Sequence, residues 1–229
     1  MERQMYKILS EHRQVFKAKS FHLFFIWEII FFAVFLYVAL VVFVKKDKRM
    51  KGIRTYIDLM KEPEKTWKKL VQNPNQSGIK AAYIILVSII PFSIIGKMLD
   101  IAELNWNILI TNALVAFISL LTGLYVATSL CKLYNDKTAQ QSMSFSDTLY
   151  YVAHASVAVY ATVWLVELAQ MPIFWLCSLY TLKIVLESLQ SKYIAIEEEK
   201  KYSYVWVVSS IIIASPYFMH YVLGLMIKG

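Results

Sequence analysis

The chain is short of the residues that break helices and of the residues that carry chemistry. Its 229 residues include 6 Gly, 5 Pro, 2 Cys and 4 His, and only 17% are charged. A soluble domain is nearer 25% charged. Without glycine-rich stretches there is no phosphate loop, and the zinc, CxxC and nucleophile-elbow motifs HExxH and GxSxG are missing as well. Nothing resembles a nucleophile with its base, so an enzyme is not expected. Cys131 and Cys177 fall in different apolar segments at different expected depths, so no disulfide is expected between them.

What is abundant is apolar. Hydrophobic residues make up 58% of the chain and the mean hydropathy is +0.50. Between Glu103 and Lys132 lie 28 consecutive uncharged residues. A helix needs about 20 apolar residues to cross about 30 Å of hydrocarbon. Six segments read as spans: Phe21–Val44, Ala81–Gly96, Asn105–Cys131, Thr148–Val166, Pro172–Leu189 and Tyr202–Ile227. They are continuous runs rather than alternating ones, which selects helices over a barrel, since backbone amides in lipid must be paired internally. The expected fold is all-α: a polytopic integral membrane protein with an N-terminal anchor helix and a five-helix transmembrane bundle. Residues 1–50 hold the tail and anchor, 51–80 a cytoplasmic amphipathic segment, and 81–229 the bundle.

The charges report orientation. Residues 45–80 carry eleven Lys or Arg, against five in the N-terminal tail. The positive-inside rule puts 45–80 in the cytoplasm and both termini outside. Phe21–Val44 is too long for a signal-peptide core and has no small-residue cleavage site after it, so it reads as an uncleaved anchor.

Ionisable residues inside apolar segments are the candidate sites. Glu28 lies about 9 Å and His220 about 10 Å below the outer surface by helical rise. They would pair if the first and last spans touch, with Pro216 expected to kink the last one. Lys183 and Glu187, four apart, are expected to form an ion pair near the inner end of the fifth span. His154, also toward the inner side, either joins that pair or sits in a packing face of small residues: Ala153, Ala155, Ser156, Ala158 and Ala161. His154 and His220 lie at opposite levels, which argues against a haem held by both. No metal or other cofactor is expected.

"KEPEKTWKKL" places Pro63 in the first turn of a short helix, with Pro74 beyond its end. Trp67, Leu70 and Val71 are expected on one face and Lys65, Lys68 and Lys69 on the other, a pattern suited to lying in the headgroup layer or docking on a partner. The acidic and basic run at 196–201 reads as a solvated turn.

That Pro–Trp helix stands before five hydrophobic segments. Together with "YYVAHASVAVY" in the fourth span and "LYTLKIVLESL" in the fifth, it resembles the bacterial branch of the Yip (Ypt-interacting protein) membrane family over about residues 55–227. The resemblance implies a five-helix bundle with its N-terminal side cytoplasmic. The chain departs from the family where Val157, not Pro, follows Ser156, and in lacking the Asp-Leu-Tyr-Gly-Pro-type signature of eukaryotic members. Binding of a Rab-type GTPase is therefore not implied. Three function classes follow: a non-catalytic organiser or adaptor, an accessory subunit of a membrane complex, and a small-solute or ion transporter using Glu28 and His220. Membrane lipids and other integral membrane subunits are the expected partners, and nucleic acid is not. The bacterial cytoplasmic membrane is the expected location.

Overall fold

The computed structural model of the chain describes residues 51–72, 77–100, 106–140 and 142–228. The anchor Phe21–Val44, the tail before it and Glu28 lie outside the described residues. Residues 49–229 form one compact unit, so the segment 51–80 is not a body separate from the bundle.

The described residues are helical throughout, with nine α-helices. These are α1 (Lys51–Lys61), α2 (Pro63–Gln72), α3 (Ser77–Val87), α4 (Ile89–Asp100), α5 (Trp106–Thr138), α6 (Phe145–Ala155), α7 (Val157–Ala169), α8 (Tyr180–Gln190) and α9 (Lys201–Lys228). Four stretches are long and apolar enough to cross a membrane: Gly78–Met98, Trp106–Thr138, Pro172–Gln190 and Glu198–Met226. The bent pair α6–α7 makes a fifth. The chain is a membrane-embedded helical protein.

Helices α5 and α9 pack along each other and form the spine, α4 lies against both α5 and α7, and α8 packs on α9. The spine is built for close approach. On α5 the buried residues Leu109, Ala113, Ala116, Leu120, Leu124, Ala127 and Cys131 recur every three or four positions, which is one helix face. A side chain at Gly123 would collide with the Pro216 backbone of α9, at 2.7 Å from its Cα. Gly96 of α4 lies likewise against the backbone of Glu167 on α7. Contacts of this kind hold helices where lipid supplies no hydrophobic driving force. Helix α9 runs unbroken through Pro216, so the expected kink does not interrupt it.

Several boundaries differ from the hydropathy reading. Helix α5 continues past Cys131 to Thr138, because a charge ends an apolar run without ending a helix. Lys132 and Asp136 are ion-paired at 2.9 Å on its last turns, and Lys132 also donates to the Met143 carbonyl at 3.0 Å. At 33 residues α5 is about 50 Å long, well beyond the hydrocarbon thickness. The fourth span bends by 48° between α6 and α7. At the break the Ser156 hydroxyl donates back to the Val152 carbonyl at 2.7 Å, a bond that bends helices and does here without proline. The fifth span opens with a 3₁₀ helix, Pro172–Leu179. Its three-residue period sets Ile173, Leu176 and Leu179 outward, while Ser178 is buried.

Candidate functional site

Helices α1 and α2 cap one end of the bundle, and the layer beneath them holds most of the buried aromatic side chains. In α2 the buried residues are Pro63, Thr66, Trp67 and Leu70, the i, i+3, i+4, i+7 pattern of one helix face. Trp67 is completely buried. Its indole Nε1–H donates to the Ile184 carbonyl of α8 at 3.0 Å. Its ring meets Tyr151 at 5.6 Å and Tyr193 at 5.0 Å between centroids. The expectation that this face lies among lipid headgroups or on a partner is thereby corrected: Pro63, Trp67 and Leu70 are covered by the chain's own α8 and α6. Val71 alone of the four faces outward, 42% exposed. An amphipathic pattern specifies an apolar face but not what covers it.

His154 is the centre of the layer. It is fully buried on α6, and its Nδ1–H donates to the Tyr150 carbonyl at 2.7 Å. That bond fixes the tautomer, so Nε2 carries the lone pair; it has no hydrogen-bond partner. Tyr56 of α1 stacks on the imidazole, with centroids 4.8 Å apart and planes 19° from parallel. The Tyr56 hydroxyl donates to the Gly78 carbonyl at 3.1 Å. Gly78 is also where α3 touches the ring: a Cβ there would lie 2.6 Å from Nε2. His154 thus joins α1, α2 and α3 to α6, and it meets neither Lys183 nor Glu187.

Two hydrogen bonds extend the layer across the bundle. Ser188 donates to the Val185 carbonyl at 2.6 Å, which leaves its oxygen to accept from the Tyr151 hydroxyl at 3.2 Å. The buried Tyr204 of α9 donates to Asn135 Oδ1 of α5 at 2.6 Å. Burial pushes the Tyr56 hydroxyl well above the ordinary tyrosine value. Tyr193, in the loop after α8, is raised for the same reason. Both keep these side chains neutral within the packed layer.

The other expected contacts fare differently. Lys183 and Glu187 form no ion pair. The Lys183 ammonium instead sits over the Tyr180 ring, 5.6 Å from its centroid, while Glu187 Oε2 is buried without a hydrogen-bond partner. Lysine N-terminal to glutamate is the weaker order for an i,i+4 pair, and the lysine stem leans back toward the N-terminus of its helix. His220 is exposed near the far end of α9, with Nδ1 3.4 Å from the Ser119 hydroxyl of α5. At that end Glu167 accepts from the buried Ser93 hydroxyl at 2.7 Å. Among the described residues no group of three or more His, Cys, Asp or Glu is placed to hold a metal ion.

Tyr56, Gly78, Asn135, Tyr151, Tyr193 and Tyr204 escape sequence reading. Gly78 stands at the second position of α3 beside Ser77, where a glycine reads as an ordinary helix-start residue. The tyrosines look like ordinary interfacial aromatics until the cap is in place. No protein-family model, no curated protein and no solved structure matches the chain.

Proposed function

We propose that the protein is a non-catalytic integral membrane organiser or adaptor of Yip type, working as an accessory subunit of a membrane protein complex. The α1–α2 end lies in the cytoplasm and the C-terminus on the far side. The observation that carries this reading is how the buried polar groups are used. Trp67 is committed to the hydrogen bond that fastens the cap to α8, and Tyr151, Tyr204 and Asn135 are committed to hydrogen bonds between helices of the bundle beneath it. These residues act as fasteners, and the outer surface is what remains for interaction. On α9 that surface is aromatic along the helix, with Tyr202, Trp206, Phe218 and Tyr221 all exposed. Aromatic side chains supply large contact area to a neighbouring subunit. The positive-inside count supports the orientation. The Pro63–Trp67 helix standing before five apolar spans supports the family assignment.

Purification in a mild detergent followed by native mass spectrometry tests the proposal. A stoichiometric membrane partner that is lost on Trp206→Ala and Tyr221→Ala would support it. A partner-free protein that drives solute or ion flux in liposomes would replace it with the transporter reading.

A further inference from the structure

We infer that the outward seam of α9 from Trp206 to Gly224 docks a transmembrane helix of another subunit, and that this helix carries a carboxyl group facing His220. The inference rests on the adaptor reading and deepens it.

The first observation is a polar side chain out of place in lipid. By helical rise Ser119 lies about 20 Å from Lys132, the first charge on α5, and so about 10 Å inside the far boundary of a hydrocarbon core about 30 Å thick. His220 shares that level, because its Nδ1 is 3.4 Å from the Ser119 hydroxyl, yet the residue is exposed. An ionisable side chain at such depth normally faces the interior of a bundle. Ser119 spends its own proton on the Val115 carbonyl at 2.6 Å, so His220 Nδ1–H is the donor in their contact. Nε2 then holds a lone pair that has no hydrogen-bond partner among the described residues.

The second observation is the seam on which His220 stands. Trp206, Ser210, Ile213, Tyr217, His220 and Gly224 follow at alternating spacings of four and three, the 3.5-residue period of a helix packed along a neighbour. Trp206, Ser210 and His220 are exposed. The Ser210 hydroxyl makes no hydrogen bond among the described residues, whereas the exposed Ser129 of α5 donates back to the Tyr125 carbonyl at 3.0 Å. A Cβ at Gly224 would meet nothing within 4 Å among the described residues. No contact there accounts for a residue that weakens a helix relative to alanine. Small and hydrogen-bonding residues on a transmembrane face let a second helix approach closely.

The partner's chemistry follows from Nε2. A carboxyl group meets the imidazole whichever of them holds the proton. As an acid it donates to Nε2; once the proton has passed across, the carboxylate accepts from the imidazolium. A second copy of this chain does not serve. Copies in one membrane share one orientation, so a two-fold pair through α9 sets each seam residue against its own twin. Two Nε2 lone pairs would face each other with no proton between them.

Photo-crosslinking in native membranes tests this, with p-benzoylphenylalanine in place of Ser210 or Gly224 and, as a control, in place of the exposed Leu114 of α5. Both seam probes should join the chain to one apolar segment of another protein, with an Asp or Glu of that segment within a helical turn of the level of His220. The control should not. In the purified complex His220→Leu should weaken association about tenfold, and His220→Gln, which still offers a hydrogen bond, should weaken it less. Replacing the partner's carboxyl residue by leucine should reproduce the His220→Leu loss without adding to it. That variant reads the same contact without touching the fold of this chain. Association unchanged by His220→Leu, or a cross-linked segment without Asp or Glu, would overturn the inference and leave the adaptor reading standing. So would cross-links to a second copy or to residues 21–44 of the same chain. Cross-links to lipid alone would overturn both.

Discussion

The two ends of the bundle are held by different means. At the capped end, large aromatic rings stack around His154 and polar groups pair in the interior: Trp67 with Ile184, Tyr151 with Ser188, Tyr204 with Asn135. Toward the opposite end the helices meet through minimal side chains, with Gly96 against Glu167 and the Ser93–Glu167 contact beside it, and midway along the spine Gly123 meets Pro216. The difference follows from the surroundings. Helices α1 and α2 carry exposed charge, so the capped end meets water and polar headgroups, and burying aromatic surface from water stabilises it. Lipid offers no such gain, so the other end relies on proximity of backbones.

The largest test of this contrast is Trp67→Ala. Removing a completely buried indole should lower stability by about 3–5 kcal/mol, seen as a reduced melting temperature in detergent and as protease cleavage in α1–α2. Trp67→Phe, which keeps most of the ring but leaves the Ile184 carbonyl without its indole donor, should cost about 1 kcal/mol. If Trp67→Ala melts like the wild type, the cap is not held as described.

Gly96→Leu probes the opposite end. The added side chain meets the Glu167 backbone, which cannot swing aside, and should destabilise by about 1–3 kcal/mol or more while leaving Trp67 fluorescence unchanged. A loss of Trp67 signal in that variant would mean that the two ends are not independent.

Tyr204→Phe is next. It leaves Asn135 Oδ1 buried without its donor, which should cost about 1–3 kcal/mol. The readout is the melting temperature against that of Asn135→Leu with Tyr204→Phe, where both partners are replaced and part of the loss should return.

The smallest effect concerns pH. Tyr56 and Tyr193 have folded-state values raised above those of the unfolded chain, through burial. Their contribution is fully present below about pH 10, the ordinary tyrosine value, and fades as the pH rises above it. Hydrogen exchange in α1–α2 should accelerate above that pH before exchange in α4, which has no tyrosine, does. Equal acceleration at both ends would remove this distinction between them.

The spans were legible because hydropathy measures directly what lipid demands, and five of them correspond to helical stretches long and apolar enough to cross. Their ends were less legible. Lys132 closes the apolar run of α5, yet the helix continues because the lysine stem reaches Asp136 and the Met143 carbonyl. The break at Ser156 carried no glycine or proline to announce it. The candidate site was legible only in part. Trp67 and His154 stood out by residue type, but what they touch is decided by contacts between residues far apart in the chain, from His154–Gly78 to Trp67–Ile184. Lys183 and Glu187 followed a local spacing rule, and the Tyr180 ring offered the lysine a competing place. The reading of Glu28 lies outside the described residues.

The bond between Trp67 and Ile184 spans 117 positions in the chain. At synthesis rates of about 5–20 residues per second, the acceptor follows the donor out of the ribosome by about 6–23 s. Throughout that interval the apolar face of α2 lacks its α8 partner, and a chain stopped before α8 never gains it. Docking of the cap therefore reports that the fifth apolar segment has been inserted, and an exposed Trp67 marks an unfinished molecule to whatever chaperones or proteases survey the membrane.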